Sequence, residues 1–115
     1  MEIWHNPKCS KSRAAREALE HTGREVRERR YLEDVPTAAE IESVLDKLGL
    51  EPWDITRIDD PLAKELKLRD AERDRTLWVE TLATHPSLIQ RPIVITDDGR
   101  AYVARDPETV QEALS

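Results

Sequence analysis

The sequence predicts an α/β fold, and three observations carry that expectation. Short runs with strand character stand near the start, at residues 3–4, and near the end, at 92–96. Between and after them, apolar residues recur at the spacing of amphipathic helices. Turn and capping residues separate these stretches into the order β-α-β, a helical middle, then β-β-α.

The chain opens with Ile3 and Trp4 as a strand and turns through Asn6-Pro7. A helix follows, with Ala14, Ala15, Ala18 and Leu19 on one face and Gly23 as its expected C-terminal cap. Residues 25–31 read as a second strand. Only Val26 and Tyr31 are apolar there, which suits an edge rather than a sheet centre. After Pro36, Thr37-Ala38-Ala39-Glu40 matches a capping box. Ile41, Val44, Leu45 and Leu48 then follow at helical spacing, and Gly49 ends the run.

Asp60-Pro61 is the cap and first residue of a short helix through Leu66. Another helix is expected over 74–84, with Leu77, Trp78, Thr81 and Leu82 on one side and His85-Pro86 as its stop. Residues 92–96 form the cleanest strand, and Asp98-Gly99 turns it into a partner at 101–104. Asp106-Pro107 caps a last helix carrying Val110 and Leu114. A right-handed crossover makes the first two strands parallel, and the final hairpin adds antiparallel strands. The expected architecture is a thioredoxin-like mixed sheet of about four strands in a single domain, with a helical insertion at about 50–88 between the second and third strands.

Composition narrows the function. A chain of 115 residues buries about two thirds of its unfolded surface without covalent staples. Its single cysteine excludes an internal disulfide and a cysteine-only zinc site, and suits a reducing cytoplasm, the expected location. No signal-peptide pattern and no membrane-spanning apolar run are seen. A net charge of −6 argues against nucleic acid as the main partner. No metal and no bound cofactor are expected. Charge runs at 25–30 and 69–75 read as solvated faces.

Cys9 falls on the turn just before the first helix. There a thiol meets the unpaired N–H groups of the first helical turn and the positive end of the helix dipole, both of which favour the reactive thiolate. Lys8, Lys11 and Arg13 add positive charge nearby. The amides of Ser10, Lys11, Ser12 and Arg13 converge beside the sulfur, a ready site for a tetrahedral oxyanion. A free thiol has a pKa of ~8.5, so a lowering of about two units makes it mostly thiolate at neutral pH. The opposing reading is a buried, inert cysteine. The flanking Lys8, Ser10 and Lys11 are poorly suited to a dry core.

Two separated motifs, H-N-P-K-C-S-K-S-R at 5–13 and H-P-S-L-I-Q-R-P-I-V-I at 85–95, with Y-L-E at 31–33 between them, resemble the ArsC-type arsenate reductases that work with glutathione and glutaredoxin. The resemblance covers essentially the whole chain. It implies Cys9 as nucleophile, and Arg91, Arg105 and Arg57 as the arginines that hold the oxyanion. It matches His5 and Ser12 to the family's histidine and serine beside the cysteine, and it implies a cis peptide before Pro92. The fork of an arginine suits a doubly charged tetrahedral anion. In a chain with 18 lysines and arginines, however, any one arginine is otherwise a surface charge. His5 has the alternative of a strand-end residue, and Ser12 that of a helix-start residue.

The mechanism so implied has the Cys9 thiolate attack arsenic with loss of water. With no second cysteine, an external thiol must complete the reduction to arsenite. The resemblance names glutathione and glutaredoxin for that role. A monomer is expected. Two other readings compete. A glutathione-linked thiol-redox protein without arsenate activity would use the same cysteine. The related Spx-type regulators bind RNA polymerase and carry a C-x-x-C switch, whose second position here is Ser12. The C-x5-R oxyanion loop is excluded because Ala15 stands where its arginine belongs.

Overall fold

The computed structural model describes residues 1–115, which divide into two compact units, Met1–Val35 with Arg91–Ser115, and Pro36–Gln90. In chain order the regular elements are β1 (Glu2–Trp4), α1 (Ser10–Glu20), β2 (Arg27–Arg29), α2 (Ala38–Leu48), α3 (Pro61–Glu65), α4 (Arg75–Thr84), β3 (Ile93–Ile95), β4 (Ala101–Val103) and α5 (Pro107–Leu114).

The first unit holds a mixed four-stranded sheet in the order β2-β1-β3-β4, a thioredoxin-like α/β arrangement. β1 runs parallel to β2, with Ile3 opposite Glu28, and antiparallel to β3, with Ile3 opposite Val94. β3 and β4 form the final hairpin, with Val94 opposite Tyr102. Gly99 turns that hairpin at a φ of +85°, a conformation that costs a residue with a Cβ. Ile3 and Val94 are fully buried, and Ala15 and Leu19 of α1 with Val110 and Ala113 of α5 complete one core with them. Burying each large side chain of that set is worth roughly 1.5–3 kcal/mol. The charged β2 lies at the sheet edge, as its composition predicts.

α1 ends earlier than its glycine suggests. His21 takes the C-terminal cap in right-handed geometry, donating to the Glu17 carbonyl, and Gly23 follows two residues later at a φ of +74°. The Thr22 hydroxyl donates to the Leu19 carbonyl at 2.6 Å, satisfying an end group of the helix locally, so the glycine serves the turn beyond it.

In the second unit the capping box at α2 closes in both directions: the Glu40 amide donates to Thr37 Oγ1 at 3.2 Å and the Thr37 amide to Glu40 Oε1 at 3.0 Å. Gly49 ends α2 at a φ of +69°. Asp60 and Asp74 cap α3 and α4 by accepting from the Leu62 and Leu77 amides. The buried face of α4 is Trp78, Val79 and Leu82, whereas Leu77, expected inward, is 57% exposed. Trp78 sets that rotation. Its ring meets Trp53 edge to face at 5.9 Å, its Nε1 donates to the Glu72 carbonyl at 2.8 Å, and the Arg73 guanidinium lies over both rings. Arg75 reaches three carboxylates, Glu42 at 3.0 Å, Asp46 at 3.1 Å and Glu51 at 3.2 Å. The run at 69–75 is therefore partly a structural clamp rather than a wholly solvated face. No helix is long and apolar enough to cross a membrane.

Candidate active site

The loop from β1 to α1 is closed by its own polar groups. The Lys8 amide donates to Asn6 Oδ1 and the Cys9 amide to the Asn6 carbonyl, each at 3.0 Å, a local turn that Asn-Pro favours. At the far end, the Asn6 amide donates to Ser12 Oγ at 3.0 Å, and His5 Nδ1 lies 2.7 Å from the same oxygen. His5, Asn6 and Ser12 are all buried. The Arg13 guanidinium turns back to donate to the Pro7 carbonyl at 3.0 Å. Held in this way, Cys9 becomes the N-cap of α1, in extended geometry, and its carbonyl accepts the first helical bond from the Arg13 amide at 3.0 Å. Ser10 and Lys11 lie exposed on the first turn.

The sulfur's surroundings favour charge. Burial pushes the Cys9 thiol pKa up, but the Ser12 amide, the Arg91 guanidinium and the Lys11 amide together pull it down further, leaving it below its ordinary value. The sulfur closes no cap hydrogen bond of ordinary geometry. These donors therefore act mainly as oriented positive charge that strengthens when the thiolate forms.

Arg91 comes from the far end of the sequence, immediately before β3, and the Arg91–Pro92 peptide is cis. Its Nε is buried without a partner, a cost of about 1–3 kcal/mol that the fold bears in placing the guanidinium at the sulfur. Arg105, just past β4, donates from Nη1 to the Arg91 carbonyl at 2.7 Å. Neither arginine has a carboxylate partner, whereas Arg16, Arg75 and Arg100 are each ion-paired. The first unit thus brings Cys9, Arg91 and Arg105 into one hydrogen-bonded neighbourhood, with His5 and Ser12 beneath the loop. Arg57 belongs to the second unit. Its amide donates to the Leu88 carbonyl at 2.7 Å, and its guanidinium lies 3.3 Å from Asp60.

Sequence reasoning missed Glu28. Its run reads as a solvated face, yet its Oε1 lies 3.3 Å from His5 Nε2, 3.3 Å from Arg16 Nε and 3.7 Å from Arg30 Nε. A carboxylate only accepts, which assigns the hydrogen of the neutral His5 ring to Nε2 and leaves Nδ1 to accept from the Ser12 hydroxyl. Burial lowers the His5 pKa, Arg16, Arg30 and Arg13 lower it further, and Glu28 opposes them without reversing the sign. Alternation along β2 was the available signal: in Arg-Glu-Arg the glutamate points to the opposite face from its neighbours. No three His, Cys, Asp or Glu side chains gather into a metal-binding group.

Comparison with known proteins gives a consistent result. The ArsC family matches this chain over residues 4–113. A Streptomyces viridochromogenes protein described as an uncharacterized protein in the glnII region is 55% identical over 118 residues, spanning 100% of this chain and 99% of its own length. An arsenate reductase of Neisseria meningitidis serogroup A is 38% identical over 115 residues, covering 99% of this chain and 97% of that protein. The solved arsenate reductase from Vibrio cholerae superposes with a TM-score of 0.91 at 40% identity, covering 98% of each chain.

Proposed function

The chain belongs to the ArsC family, and from that premise we propose that it reduces arsenate to arsenite, with Cys9 as nucleophile and an external thiol completing the reaction. The observation that carries this reading is the placement of the Arg91 guanidinium at the Cys9 sulfur, with Arg105 braced on the Arg91 carbonyl and neither cation neutralised by a carboxylate. Such a pair suits a tetrahedral dianion, which can accept two parallel N–H bonds from each fork. The amides of the first turn of α1 add donors on the same side. Arg57 enters the proposal as a third anion-binding arginine on the family resemblance alone.

In the first step the Cys9 thiolate forms a bond to arsenic and an arsenate oxygen leaves as water after taking up protons. A second thiol, RSH, then attacks the cysteine sulfur. The S–As bond breaks, its electron pair stays with arsenic, and arsenite departs as Cys9–S–S–R forms. Arsenic gains two electrons, and the two sulfurs supply them. A further thiol regenerates Cys9. Because the chain has one cysteine, both later thiols come from outside it. Glutathione and glutaredoxin are proposed for these steps because the chain resembles reductases that use them. An intramolecular C-x-x-C switch is ruled out, since its second position is Ser12 and Cys9 is the one cysteine of the chain.

The test is arsenate-dependent NADPH oxidation in the presence of glutathione, glutaredoxin and glutathione reductase. Wild-type protein is expected to drive it and Cys9→Ser to reduce it to background, because a hydroxyl neither ionises here nor carries the redox step. Arsenate-dependent turnover surviving in Cys9→Ser refutes the assignment.

A further inference from the structure

The His5 amide donates to the Arg29 carbonyl at 2.8 Å, so the β1–β2 ladder continues one residue past Trp4 and brings His5 beside Glu28. A line of hydrogen-bonding groups runs from there under the cysteine loop. Glu28 Oε1 stands 3.3 Å from His5 Nε2, His5 Nδ1 stands 2.7 Å from Ser12 Oγ, and that oxygen accepts from the Asn6 amide at 3.0 Å. Glu28 is itself held, because the same Oε1 meets Arg16 Nε of α1 at 3.3 Å and Arg30 Nε at 3.7 Å. His5 and Ser12 are buried, whereas Glu28 keeps 22% of its side chain exposed. A solvated surface ion pair joins two mobile side chains and is worth little. This carboxylate instead meets three groups at one oxygen, and one of them is a buried ring.

A neutral imidazole carries its hydrogen on either nitrogen, and the partner of one nitrogen decides the role of the other. With a carboxylate at Nε2, Nδ1 must accept. The Ser12 hydroxyl then has one arrangement open to it: its hydrogen goes to His5 and its lone pairs to the Asn6 amide. With the ring in its other tautomer, Nδ1–H and the Asn6 amide would both donate to Ser12 Oγ, and the hydroxyl hydrogen would need another acceptor inside the loop. Ser12 in turn reaches Cys9 through its backbone. Burial opposes the Cys9 thiolate, and the Ser12 amide is the foremost of the donors that overcome it. We propose that Glu28 is a positioning residue for the Cys9 nucleophile: by accepting the Nε2 hydrogen of His5 it commits Nδ1 to the Ser12 hydroxyl and so fixes the first turn of α1, whose amides face the sulfur. The proposal rests on the reading of Cys9 as the reactive thiol.

Charge and position act here with opposite signs. As a bare negative charge Glu28 disfavours a nearby thiolate, so neutralising it lowers the Cys9 midpoint. As a positioning group it favours the thiolate, so loss of its acceptor raises that midpoint. Glu28→Gln removes the charge and keeps an oxygen, which Arg16 and Arg30 orient towards Nε2. Glu28→Leu removes charge and acceptor together and keeps a side chain of similar bulk. The test reads two quantities and uses no arsenate. Nitrogen–proton NMR of the His5 ring gives its tautomer, and iodoacetamide alkylation over a pH series gives the Cys9 midpoint. The charged groups facing the ring are Glu28 and Arg30 from the β2 side and Arg13 and Arg16 from α1, with Glu20 paired to Arg16. Burial leads the lowering of the His5 pKa, so spectra taken slightly above neutral pH see the neutral ring.

Wild type and Glu28→Gln are expected to hold the ring hydrogen on Nε2, and Glu28→Gln to alkylate with a midpoint at or below that of wild type. Glu28→Leu is expected to populate the Nδ1–H tautomer and to move the midpoint above that of Glu28→Gln. At a pH below both midpoints it then carries roughly three- to tenfold less thiolate, a shift of about half to one pH unit. A hydrogen on Nδ1 in wild type, an unchanged tautomer in Glu28→Leu, or a Glu28→Leu midpoint no higher than that of Glu28→Gln overturns the proposal. If Glu28→Leu does not fold, the wild-type tautomer and the Glu28→Gln midpoint decide, and a midpoint above wild type overturns it. Each of these failures leaves arsenate reduction standing. Failure of arsenate turnover with the tautomer and midpoints as expected sinks only the arsenate reading.

Discussion

His5 Nδ1 and Ser12 Oγ stand 2.7 Å apart beneath the cysteine loop, and the same oxygen accepts from the Asn6 amide at 3.0 Å. One hydroxyl thus satisfies two buried partners and ties the end of β1 to the first turn of α1. Ser12→Ala removes it and leaves both partners without a bond. The expected loss of stability is about 1–3 kcal/mol, read from urea unfolding, with a slower alkylation of Cys9 at neutral pH because the loop that aims the amides loosens. A variant as stable and as reactive as wild type means the hydroxyl contributes nothing to the loop.

Cys9 is expected to react with iodoacetamide along a titration whose midpoint lies below that of the urea-unfolded chain, since burial is outweighed by the Ser12 amide, Arg91 and the Lys11 amide. The linkage has a definite sign. A thiol whose folded pKa is depressed contributes stability that is fully present above the unfolded value of ~8.5 and is lost as pH falls through the folded one. Arg91→Ala removes one of the named causes and is expected to move the alkylation midpoint upward. An unmoved midpoint places the guanidinium elsewhere in solution.

His5 titrates with the opposite preference for charge. Its pKa is lowered mainly by burial and by Arg16, Arg30 and Arg13, so the folded state disfavours the imidazolium. The contribution to stability is therefore present above the unfolded value of ~6.5 and declines as pH falls through it towards the folded value. Glu28 is the neighbour that raises this pKa, so Glu28→Gln is expected to lower it further, seen as a displaced ring-proton titration by NMR. An unchanged His5 titration in Glu28→Gln contradicts the ion-pair geometry.

Arg75 holds Glu42, Asp46 and Glu51 at one point. Arg75→Ala leaves three like charges facing one another. The melting temperature is expected to fall, most at low ionic strength, because salt screens the repulsion that remains. A fall of the same size at low and high salt points instead to lost packing of the arginine stem.

Local signals were the legible ones. The capping box at Thr37, the aspartates before Pro61 and Pro107, Asp74 and the Asp98-Gly99 turn each act within a few residues, so spacing alone locates them. Cys9 was legible for the same reason, because a helix start is a local property. Arg91 and Arg105 entered only through a motif, since nothing in their own segments says which distant loop they face. Glu28 escaped because its meaning depends on the register of β2 against β1, which no stretch of sequence states. Leu77 was misplaced because the rotation of α4 is decided by the Trp78 contacts, and a helix with apolar residues at 77, 78 and 79 offers more than one face to bury. Gly23 was misread because Thr22 supplies the local bond that ends α1 first.

The three indoles of this chain are divided between its two units. Trp4 is buried in the first beside Arg29, while Trp53 and Trp78 form their edge-to-face pair in the second under Arg73. Intrinsic emission is consequently a composite of two built-in reporters. Replacing Trp4 with phenylalanine leaves a signal from residues 36–90 alone, and replacing the pair leaves one from the sheet that carries Cys9. Melting curves recorded on the two single-colour proteins then tell directly whether the halves of this small chain come apart together or in succession.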